Sequence, residues 1–515
     1  MVEKNKGIIA AFNGRLTFTV FVLMLSQVNF GLDLSTYNTT QAMASFTKKF
    51  GVFNPVTGRY AIEPYFLSLL NSLTYVGQVA GVILGGWLGR HYGRRMSFFV
   101  MCFWAVLSAI LLVTAQTKEQ MLVARILNYI YIGQELATVP VMQSEIVPAH
   151  VRGFVVGTYQ LGIMLGSFLA ALITYGTNKI QGEASFRIPL GLFMVIPVIV
   201  FFSVFFMPES PRWYLVRDRQ EEALAALRKY REGRFTEEEI MEEYATQVAM
   251  INMTTQDRGT FREMLQGTNL RRTLIVVGTN FCIQITGQAF ASKYGAIFLK
   301  EIGALDPFAM SCINTAIFIV LTVASMLLID RVGRRFILLT GSIVQASSFL
   351  TMGGLGTIAA PDRPVLVGIS AMLTIFYSGF SFGWAPAYHI ITSEIPNSRM
   401  RDVTYTVAST VNVVTQFVVA FTIPYLWYEP YAALGPKVGF IFGSFCVGTT
   451  LFIYFFIPEC RKLSLEEIDH LFMEKTPTRK FRRYRHGEVL PPSVTDIVAS
   501  KQETGPTVEQ REFKD

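Results

Sequence analysis

Long apolar stretches alternate with short polar loops along most of the chain. A helix of about 20 apolar residues crosses a hydrocarbon core of about 30 Å, so each stretch is a candidate membrane helix. The pattern predicts twelve spans, numbered here in chain order: 16–37, 65–88, 96–115, 119–142, 154–176, 186–207, 273–299, 308–330, 335–358, 365–390, 402–426 and 436–457. The expected fold class is therefore an all-α integral membrane protein with 12 transmembrane helices.

Three charged motifs occur twice, in the same order. The pairs are GRR at 93–95 and 333–335, SEIVPAHVR at 144–152 and SEIPNSRMR at 393–401, and PES at 208–210 and PEC at 458–460. Such a repeat predicts two pseudo-symmetric six-helix halves, with the substrate site near the middle of the membrane between them. Alternating access then arises when one half rocks against the other.

The repeat and the charge pattern together divide the chain into four segments. Between the halves, Glu, Lys and Arg recur at helical spacing, which predicts an amphipathic helical linker on the cytoplasmic face. After the twelfth span the chain becomes polar and basic. We expect an N-terminal half at 1–207, the linker at 208–272, a C-terminal half at 273–457 and a cytoplasmic tail at 458–515.

Composition and charge support the membrane assignment and argue against nucleic acid as a partner. The chain is 51% hydrophobic and only 16% charged, which is more apolar than a soluble domain needs. The net charge is +8, and arginines gather in alternate loops at Arg90, Arg94, Arg95, Arg152, Arg331, Arg334, Arg335, Arg399 and Arg401. This distribution follows the positive-inside rule, so the positive charge reflects topology. With an even number of spans, it predicts a multi-pass protein with both termini in the cytoplasm.

No pattern in the sequence indicates catalysis or a metal site. The five cysteines are scattered and lack CxxC spacing, which argues against metal ligation and disulfides. A P-loop, an HExxH motif and a nucleophile elbow are all missing from the sequence. The sequence therefore predicts a protein that is not an enzyme and that needs no cofactor.

A further set of motifs occurs in the order that is typical of one known family. Arg125 in the fourth span is followed by PVMQSE, RIPLGL, PESPRWYL, QITGQ, DRVGRR, SEIP and LSLEEID. The chain thereby resembles the sugar porters of the major facilitator superfamily, particularly the fungal hexose and α-glucoside permeases. The resemblance implies the major facilitator fold and a sugar transporter that works by alternating access in the plasma membrane of a fungus. It also implies a monomer whose partners are a small sugar, protons and the lipid bilayer.

Asp33 places a carboxylate inside the first span, where an ionised side chain is costly. By resemblance, Asp33 and Arg125 are the acid and the arginine that couple sugar transport to protons. An apolar surround disfavours the ionised acid and a nearby arginine favours it, so a single proton can switch the pair. The resemblance therefore predicts sugar:proton symport driven by the proton gradient. A static ion pair in a facilitative uniporter is the alternative.

Amide side chains within the spans form a candidate sugar pocket, because amides both donate and accept hydrogen bonds. The resemblance implies eight substrate-binding residues: Gln160, Gln284, Gln288, Asn314, Trp384, His389, Asn412 and Gln416. For each amide the alternative is a hydrogen bond that only joins two helices, and for His389 it is a packing histidine with satisfied hydrogen bonds. The pocket departs from that of a glucose carrier at Tyr129, Tyr131, Ile283, Ala289, Ala385 and His389.

Charged and aromatic residues at the span ends are candidate gates. Lys293 stands where the family commonly has a gating tyrosine, and Tyr294 follows it. By resemblance, the charged motifs tie the two halves together at the cytoplasmic ends when the cavity faces outward. The residues concerned are Arg94, Arg95, Glu145, Arg152, Glu209, Asp330, Arg334, Arg335, Glu394, Arg401 and Glu459. One acid of this network is lost, because Arg90 stands where the family has an aspartate.

Two further functions stay open beside the symporter and the uniporter. A carrier of acidic sugars would use Lys293 to meet a carboxylate, although a lysine that snorkels to the outer interface is the simpler explanation of this residue. A sugar sensor on the same scaffold is expected to have a long tail and a damaged coupling pair. The short tail and the intact Asp33 and Arg125 favour a transporter. The cargo can be a hexose, a pentose, a disaccharide or a sugar acid.

Overall fold

The computed structural model describes residues 12–54, 58–256, 261–397, 400–461, 463 and 465–483. Helices make up nearly all of this part of the chain. Its two strands, β1 (Val52–Asn54) and β2 (Arg59–Ala61), form a small antiparallel hairpin between the first and second spans, with Phe53 opposite Tyr60. The structure therefore has the all-α architecture that the apolar pattern predicts.

The first six spans consist of long helices, two of which are interrupted. The helices are α1 (Gly14–Thr40), α2 (Ala44–Phe50), α3 (Pro64–Ser72), α4 (Thr74–His91), α5 (Arg94–Thr114), α6 (Lys118–Ile146), α7 (Ala149–Thr177), α8 (Ala184–Gly191) and α9 (Val195–Val204). The first, third, fourth and fifth spans are α1, α5, α6 and α7. The second span is α3 with α4, and the sixth is α8 with α9, joined by the 3₁₀ turn Leu192–Met194.

The described residues of the linker form four helices, and one of the last six spans is interrupted. The linker helices are α10 (Pro211–Val216), α11 (Gln220–Arg231), α12 (Glu237–Gln256) and α13 (Phe261–Met264). The later helices are α14 (Gly267–Ile285), α15 (Gly295–Ile302), α16 (Pro307–Val332), α17 (Arg334–Leu355), α18 (Arg363–Glu394), α19 (Arg401–Trp427), α20 (Val438–Phe456) and α21 (Leu465–Met473). The seventh span is α14 with α15, and the eighth to twelfth are α16 to α20. Two 3₁₀ turns, Gly435–Lys437 and Thr478–Arg483, precede α20 and follow α21.

Eleven of the described helical segments are long and apolar enough to cross a membrane, and α6 is the polar exception. It carries Arg125, Glu135 and several amides, which lower its hydropathy. Its 29 residues reach about 43 Å at roughly 1.5 Å per residue, so its length is sufficient to cross. The polar residues are tolerated because they are buried against α1, α4 and α5. With α6 included, the described helices supply all twelve predicted spans.

The start of the first span and the end of the twelfth lie on the same side of the helix bundle, because the chain crosses it an even number of times. We call this side the terminal face and the other side the opposite face. The linker packs at the terminal face through Arg231, which is buried. Arg231 donates two hydrogen bonds of 2.8 Å to Glu243 and one of 2.9 Å to the carbonyl of Ile146 at the end of α6. The linker is thereby attached to the N-terminal half.

Glycines allow the backbones of the first and fifth spans to touch. A Cβ atom added to Gly31 would lie 1.9 Å from the carbonyl oxygen of Ile163, and one added to Gly166 would lie 1.9 Å from that of Val28. Ser167 also donates a hydrogen bond of 3.1 Å to the carbonyl of Gly31. Small residues at such contacts let membrane helices pack closely. This packing fixes the first span beside the fifth, while Asp33 contacts the fourth.

Candidate functional site

Asp33 and Arg125, from the antiparallel first and fourth spans, form a buried ion pair. Asp33 Oδ1 lies 3.9 Å from Arg125 Nη1, and the two side chains are 1% and 2% exposed. Neither carboxylate oxygen of Asp33 has a hydrogen-bond partner among the described residues. The pair is therefore longer than a hydrogen-bonded arginine–carboxylate pair, and charge attraction holds it. The structure brings together the two residues that the sequence analysis singled out for proton coupling.

Arg125 has other partners that hold it independently of Asp33. Its guanidinium carbon lies 3.5 Å from the centre of the Tyr37 ring and 5.0 Å from that of Tyr129. Its Nη1 also donates a hydrogen bond of 3.4 Å to Asn128. Contacts of this kind stabilise a desolvated cation by about 2 kcal/mol. Protonation of Asp33 would therefore leave Arg125 with supporting contacts, as a switch requires.

The seventh span is broken in the middle, beside the predicted pocket residues. Helix α14 ends at Ile285, Gly287 has a φ of +87°, and a π-helical turn runs over Phe290–Tyr294 before α15 begins. Glycine adopts this positive φ without steric cost. Gln284 and Gln288 lie on the two sides of the break. Broken spans are typical of transporter binding sites, since they leave polar groups free to meet a substrate.

A chain of amides joins the seventh span to the tenth and eleventh. Gln284 Nε2 donates to Asn412 Oδ1 at 3.1 Å, and Asn412 Nδ2 lies 3.3 Å from the carbonyl of Asn280. Asn280 Nδ2 in turn donates to Thr392 Oγ1 at 3.0 Å. This amide chain, Thr392–Asn280–Asn412–Gln284, orients the side chain of Gln284. The buried oxygens of Gln284 and Gln288 have no hydrogen-bond partner among the described residues, so they are available to accept from sugar hydroxyls.

The other predicted pocket residues divide into two groups. Gln160 on the fifth span and Gln416, one turn beyond Asn412, are half-buried and stay candidates. Asn314 accepts a hydrogen bond of 2.8 Å from Thr374, which joins the eighth span to the tenth. Trp384 is fully buried and donates to Ser342 at 3.0 Å. Asn314 and Trp384 thus make interhelical contacts inside the C-terminal half.

His389 lies on the same helix as Trp384 but in a different environment. Its side chain is exposed, and its ring centre is 3.8 Å from that of Tyr388. An imidazole can donate to or accept from a sugar hydroxyl where it lines the transport path. Its role in the pocket stays a prediction.

Replacing Gln284 with alanine is expected to weaken sugar affinity. The change removes an amide whose oxygen has no protein partner, and a hydrogen bond to a neutral hydroxyl contributes about 0.5–1.5 kcal/mol. We expect the sugar concentration for half-maximal counterflow to rise about tenfold, which corresponds to about 1.4 kcal/mol. Gln345→Ala is the matched control, because Gln345 is likewise a buried amide, on the ninth span. Equal losses in both variants, or unchanged affinity in Gln284→Ala, would remove Gln284 from the pocket.

Lys293 crosses between the halves at the opposite face. Its Nζ donates a hydrogen bond of 2.6 Å to the carbonyl of Asn71 on the second span. The same atom lies 4.0 Å from the ring centre of Tyr75 and 5.6 Å from that of Tyr129. Tyr294 instead bonds within its own half, to the carbonyl of Ala420 at 2.8 Å. Lys293 and a second hydrogen bond, from Ser68 to the Phe421 carbonyl, thus join the two halves at the opposite face, and the gating role of Lys293 stays a prediction.

The charged motifs at the terminal face form two matching clusters. In the N-terminal half, Arg94 pairs with Glu145 at 2.8 Å, and Glu209 accepts the backbone N–H groups of Arg94 and Arg95 at 3.0 Å each. In the C-terminal half, the corresponding contacts are Arg334 with Glu394 at 3.1 Å, and Glu459 with the backbone N–H groups of Arg334 and Arg335 at 3.1 Å each. Each cluster joins helices of one half.

These clusters have a simple local cause. The first N–H groups of α5 and α17 have no partner within their own helix, and Glu209 and Glu459 accept hydrogen bonds from them.

The predicted gating role requires contacts between the halves, whereas the contacts of the Arg94 cluster lie within the N-terminal half. Among the remaining gate candidates, the side chains of Arg152 and Asp330 fall outside the described residues. Nε and Nη2 of Arg401 have no hydrogen-bond partner among those described. The gating role of this network stays a prediction.

Two polar residues of the spans escaped the motif-based reading. Asn280 lies four residues before Gln284, on the same helix face, and this spacing would have identified it. Glu135 is an acid within the fourth span, and any acid at that depth is a candidate functional residue. Neither belongs to a motif of the resemblance, so a search by motif passed over them, although helix spacing and intramembrane charge were signals in the sequence.

Comparison with known proteins places this geometry in context. The chain is similar to the high-affinity glucose transporter ght2 of Schizosaccharomyces pombe, with 29% identity over 470 residues, 90% of this chain and 88% of the relative. It is similar to the high-affinity fructose transporter ght6 of the same yeast, with 28% identity over 512 residues, 97% of this chain and 94% of the relative. Among solved structures, the inward open xylose transporter XylE from E. coli superposes with a TM-score of 0.73 and 20% identity, over 88% of this chain and 99% of that one.

These likenesses confirm the predicted architecture and class of protein. The structural match confirms the major facilitator fold, and the relatives are carriers, as the prediction of a non-enzyme requires. A family model described as "Sugar (and other) transporter" matches residues 19–472, which is nearly the whole chain. A multi-pass membrane protein whose function is sugar transport is thereby confirmed at the level of the family. The chain belongs to the sugar transporter family.

Proposed function

We propose that this protein is a symporter that moves a neutral sugar together with a proton. The observation that carries the proposal is the buried ion pair of Asp33 and Arg125. Asp33 Oδ1 lies 3.9 Å from Arg125 Nη1, and both side chains are almost fully buried. When a buried acid binds a proton it loses its charge, and with it the attraction to an arginine that is not hydrogen-bonded to it. The named cargoes of similar proteins, glucose and fructose, support a hexose as the substrate.

The proposed cycle links the proton to the sugar through the first and fourth spans. A proton binds Asp33, and Arg125 then relies on Tyr37 and Asn128. The first span is released from the ion pair, and the sugar binds the free amide oxygens beside the broken seventh span. Rocking of the halves exposes both to the other side, where the proton and the sugar leave. The pair then re-forms in the empty carrier.

The closed opposite face supports a neutral cargo over an acidic one. The amine of Lys293 already donates to the Asn71 carbonyl and lies on the Tyr75 ring, so it is occupied while this face is closed. The free groups beside the seventh span are amide oxygens, which accept from hydroxyls and repel a carboxylate. A carrier of acidic sugars would present a cation at that position.

The distribution of arginines supports a topology for the protein. The terminal face carries the arginines of both GRR motifs, so we place it in the cytoplasm together with both chain ends. We further propose that the protein works as a monomer in the plasma membrane of a fungal cell. Its N-terminal half ends at residue 207 and its C-terminal half begins at residue 273.

Uptake by the purified protein in liposomes tests the proposal. Labelled hexoses, a pentose, a disaccharide and a uronic acid are offered with and without an inward proton gradient. A gradient of one pH unit corresponds to about 1.4 kcal/mol, so we expect about tenfold accumulation of a neutral sugar, abolished by a protonophore. Equilibration at the same level with and without the gradient would indicate a uniporter. Accumulation of the uronic acid alone would contradict a neutral cargo, and lack of any uptake would favour a sensor.

A further inference from the structure

Glu135 is a second buried carboxyl group within the spans, and the Asp33 pair does not involve it. It lies on α6, ten residues after Arg125, and its side chain is 0% exposed. Ser26 of the first span donates a hydrogen bond of 2.6 Å to its Oε2. Its Oε1 has no hydrogen-bond partner among the described residues. One hydroxyl is therefore the polar support that this carboxyl group receives.

The surroundings of Glu135 contain no cation within the described part of the chain. The titratable groups that face it are Cys102 of the third span, Tyr131 of its own span and Tyr159 of the fifth. The nearest arginine along α6 is Arg125, about 15 Å away at 1.5 Å per residue. An ionised carboxylate buried without a partner costs several kcal/mol, so the group is accommodated as the neutral acid. In this conformation Glu135 holds a proton.

A line of polar groups connects the level of Glu135 to that of Asp33. Between them, Asn29 Nδ2 donates to the Tyr131 hydroxyl at 3.0 Å, again from the first span to the fourth. We call the three contacts Asp33–Arg125, Asn29–Tyr131 and Ser26–Glu135 the polar seam. It extends about 10 Å along the first span towards the terminal face. The crevice beside it, lined in part by Ser26, Asn29 and Cys102, is too narrow for a water molecule.

The second half of the protein shows that packing does not require an acid at this position. Glu135 lies ten residues before Glu145, and Trp384 lies ten residues before the corresponding Glu394. Trp384 is fully buried and donates to Ser342, which corresponds to Cys102 by its distance from the GRR motif. The C-terminal half therefore fills this site with an aromatic ring. A carboxyl group in the N-terminal half has a cost that packing alone does not explain.

We propose that Glu135 is a second proton-binding site of the carrier, at the terminal-face end of the polar seam. Its carboxyl O–H bond is kept while water is excluded, and the proton passes to water when the halves rearrange and open the seam. The carboxylate takes its next proton from water on the other side of the membrane after the halves rock back, so one proton is taken up on one side and released on the other in each cycle. The inference rests on the proposed transport cycle, but Asp33 need not be the coupling acid.

The main test compares proton flux with sugar flux in liposomes that contain wild-type or Glu135→Gln protein. Glutamine keeps the shape and the hydrogen bond to Ser26 but cannot exchange a proton. We expect the ratio of protons to sugars to fall by about one in Glu135→Gln. Glu301→Gln is the matched control, because Glu301 receives a hydrogen bond from Trp427 at the far end of the seventh span. An unchanged ratio in Glu135→Gln, or an equal fall in the control, would overturn the inference.

Infrared spectroscopy provides a readout that does not depend on symport. The carbonyl stretch of a protonated, buried carboxyl group should be present in the wild type and shifted in Ser26→Ala, which removes its hydrogen bond. The band should lose intensity when glucose is added to drive the cycle. If Glu135→Gln does not fold, the Ser26→Ala shift identifies the band. If the wild type moves no protons with sugar, the proposed symport fails, and the infrared band then tests the Glu135 inference by itself. A band that changes when glucose is added supports the inference, and a band that does not change or is missing refutes it.

Discussion

Replacing Asp33 with asparagine should abolish accumulation of sugar against a gradient while part of the sugar exchange remains. Asparagine has nearly the same shape but no exchangeable proton, so the pair with Arg125 loses its switch. With an inward gradient of two pH units, each proton moved with a sugar stores about 2.7 kcal/mol, which supports about 100-fold accumulation. We expect Asp33→Asn to bring internal and external sugar to equal concentrations, because loss of this switch also uncouples a proton carried at Glu135 from the movement of sugar. The measurement is labelled sugar uptake in liposomes, with counterflow recorded in parallel.

The control for this variant addresses the arginine that is left behind. A buried charge without its partner costs about 3–5 kcal/mol, although Tyr37 and Asn128 still support Arg125. The double variant Asp33→Asn/Arg125→Gln removes the stranded charge and should likewise fail to accumulate. Asp306→Asn is the matched single control, because Asp306 caps the eighth span by accepting the Phe308 N–H at 3.0 Å. Accumulation that persists in Asp33→Asn would refute the coupling role.

Replacing Lys293 with methionine should open the opposite face. Methionine keeps the length and apolar character of the side chain but removes the amine that spans the halves. A hydrogen bond from a charged donor contributes about 1.5–3 kcal/mol, and the contact with the Tyr75 ring adds about 0.5–2 kcal/mol. A loss of this size shifts a two-state equilibrium at least about tenfold towards the state with this face open. The shift would also slow sugar release at the terminal face.

Spin-label distances report this opening directly. Labels at Tyr65 and Tyr431, two exposed residues at the opposite-face ends of the second and eleventh spans, should move apart in Lys293→Met. Cys312, the one cysteine that is not buried, is replaced by serine in this background. Lys179→Met is the control, since Lys179 lies 4.7 Å from the Tyr175 ring within one half. An identical distance distribution in Lys293→Met and the parent would show that Lys293 does not hold the face closed.

The sequence by itself determined the architecture of this protein. The length of the apolar stretches required membrane helices, because water-free hydrocarbon leaves the backbone no other partner for its hydrogen bonds. The doubled charged motifs established two related halves, and the ordered motifs identified the family. Amides within one span, such as Gln284 and Gln288 of the seventh, could also be read from the sequence, since their positions in an apolar stretch are local information.

The tertiary structure decided what the polar residues do, because their roles depend on partners that are distant in the sequence. The pocket role predicted for Trp384 stays a prediction, and the fold adds a partner that the sequence does not reveal, because its N–H donates to Ser342 of the ninth span. Asn314 is likewise engaged by Thr374. Lys293 was ambiguous until Asn71, on the second span, was found 2.6 Å from its amine. Helix packing brings such residues into contact although they are tens to hundreds of positions apart in the sequence. A local sequence pattern therefore does not predict these contacts.

Glu135 illustrates the same division between sequence and structure. The sequence places an acid within the fourth span, and its cost there follows from elementary electrostatics. Only the packing of the first span against the fourth gives this acid a hydroxyl for a partner and denies it a cation. A charge inside a membrane is stabilised or neutralised by neighbours that the fold supplies. The sequence therefore determined which groups are expensive to bury, and the tertiary structure decided which of them are paired and which must hold a proton.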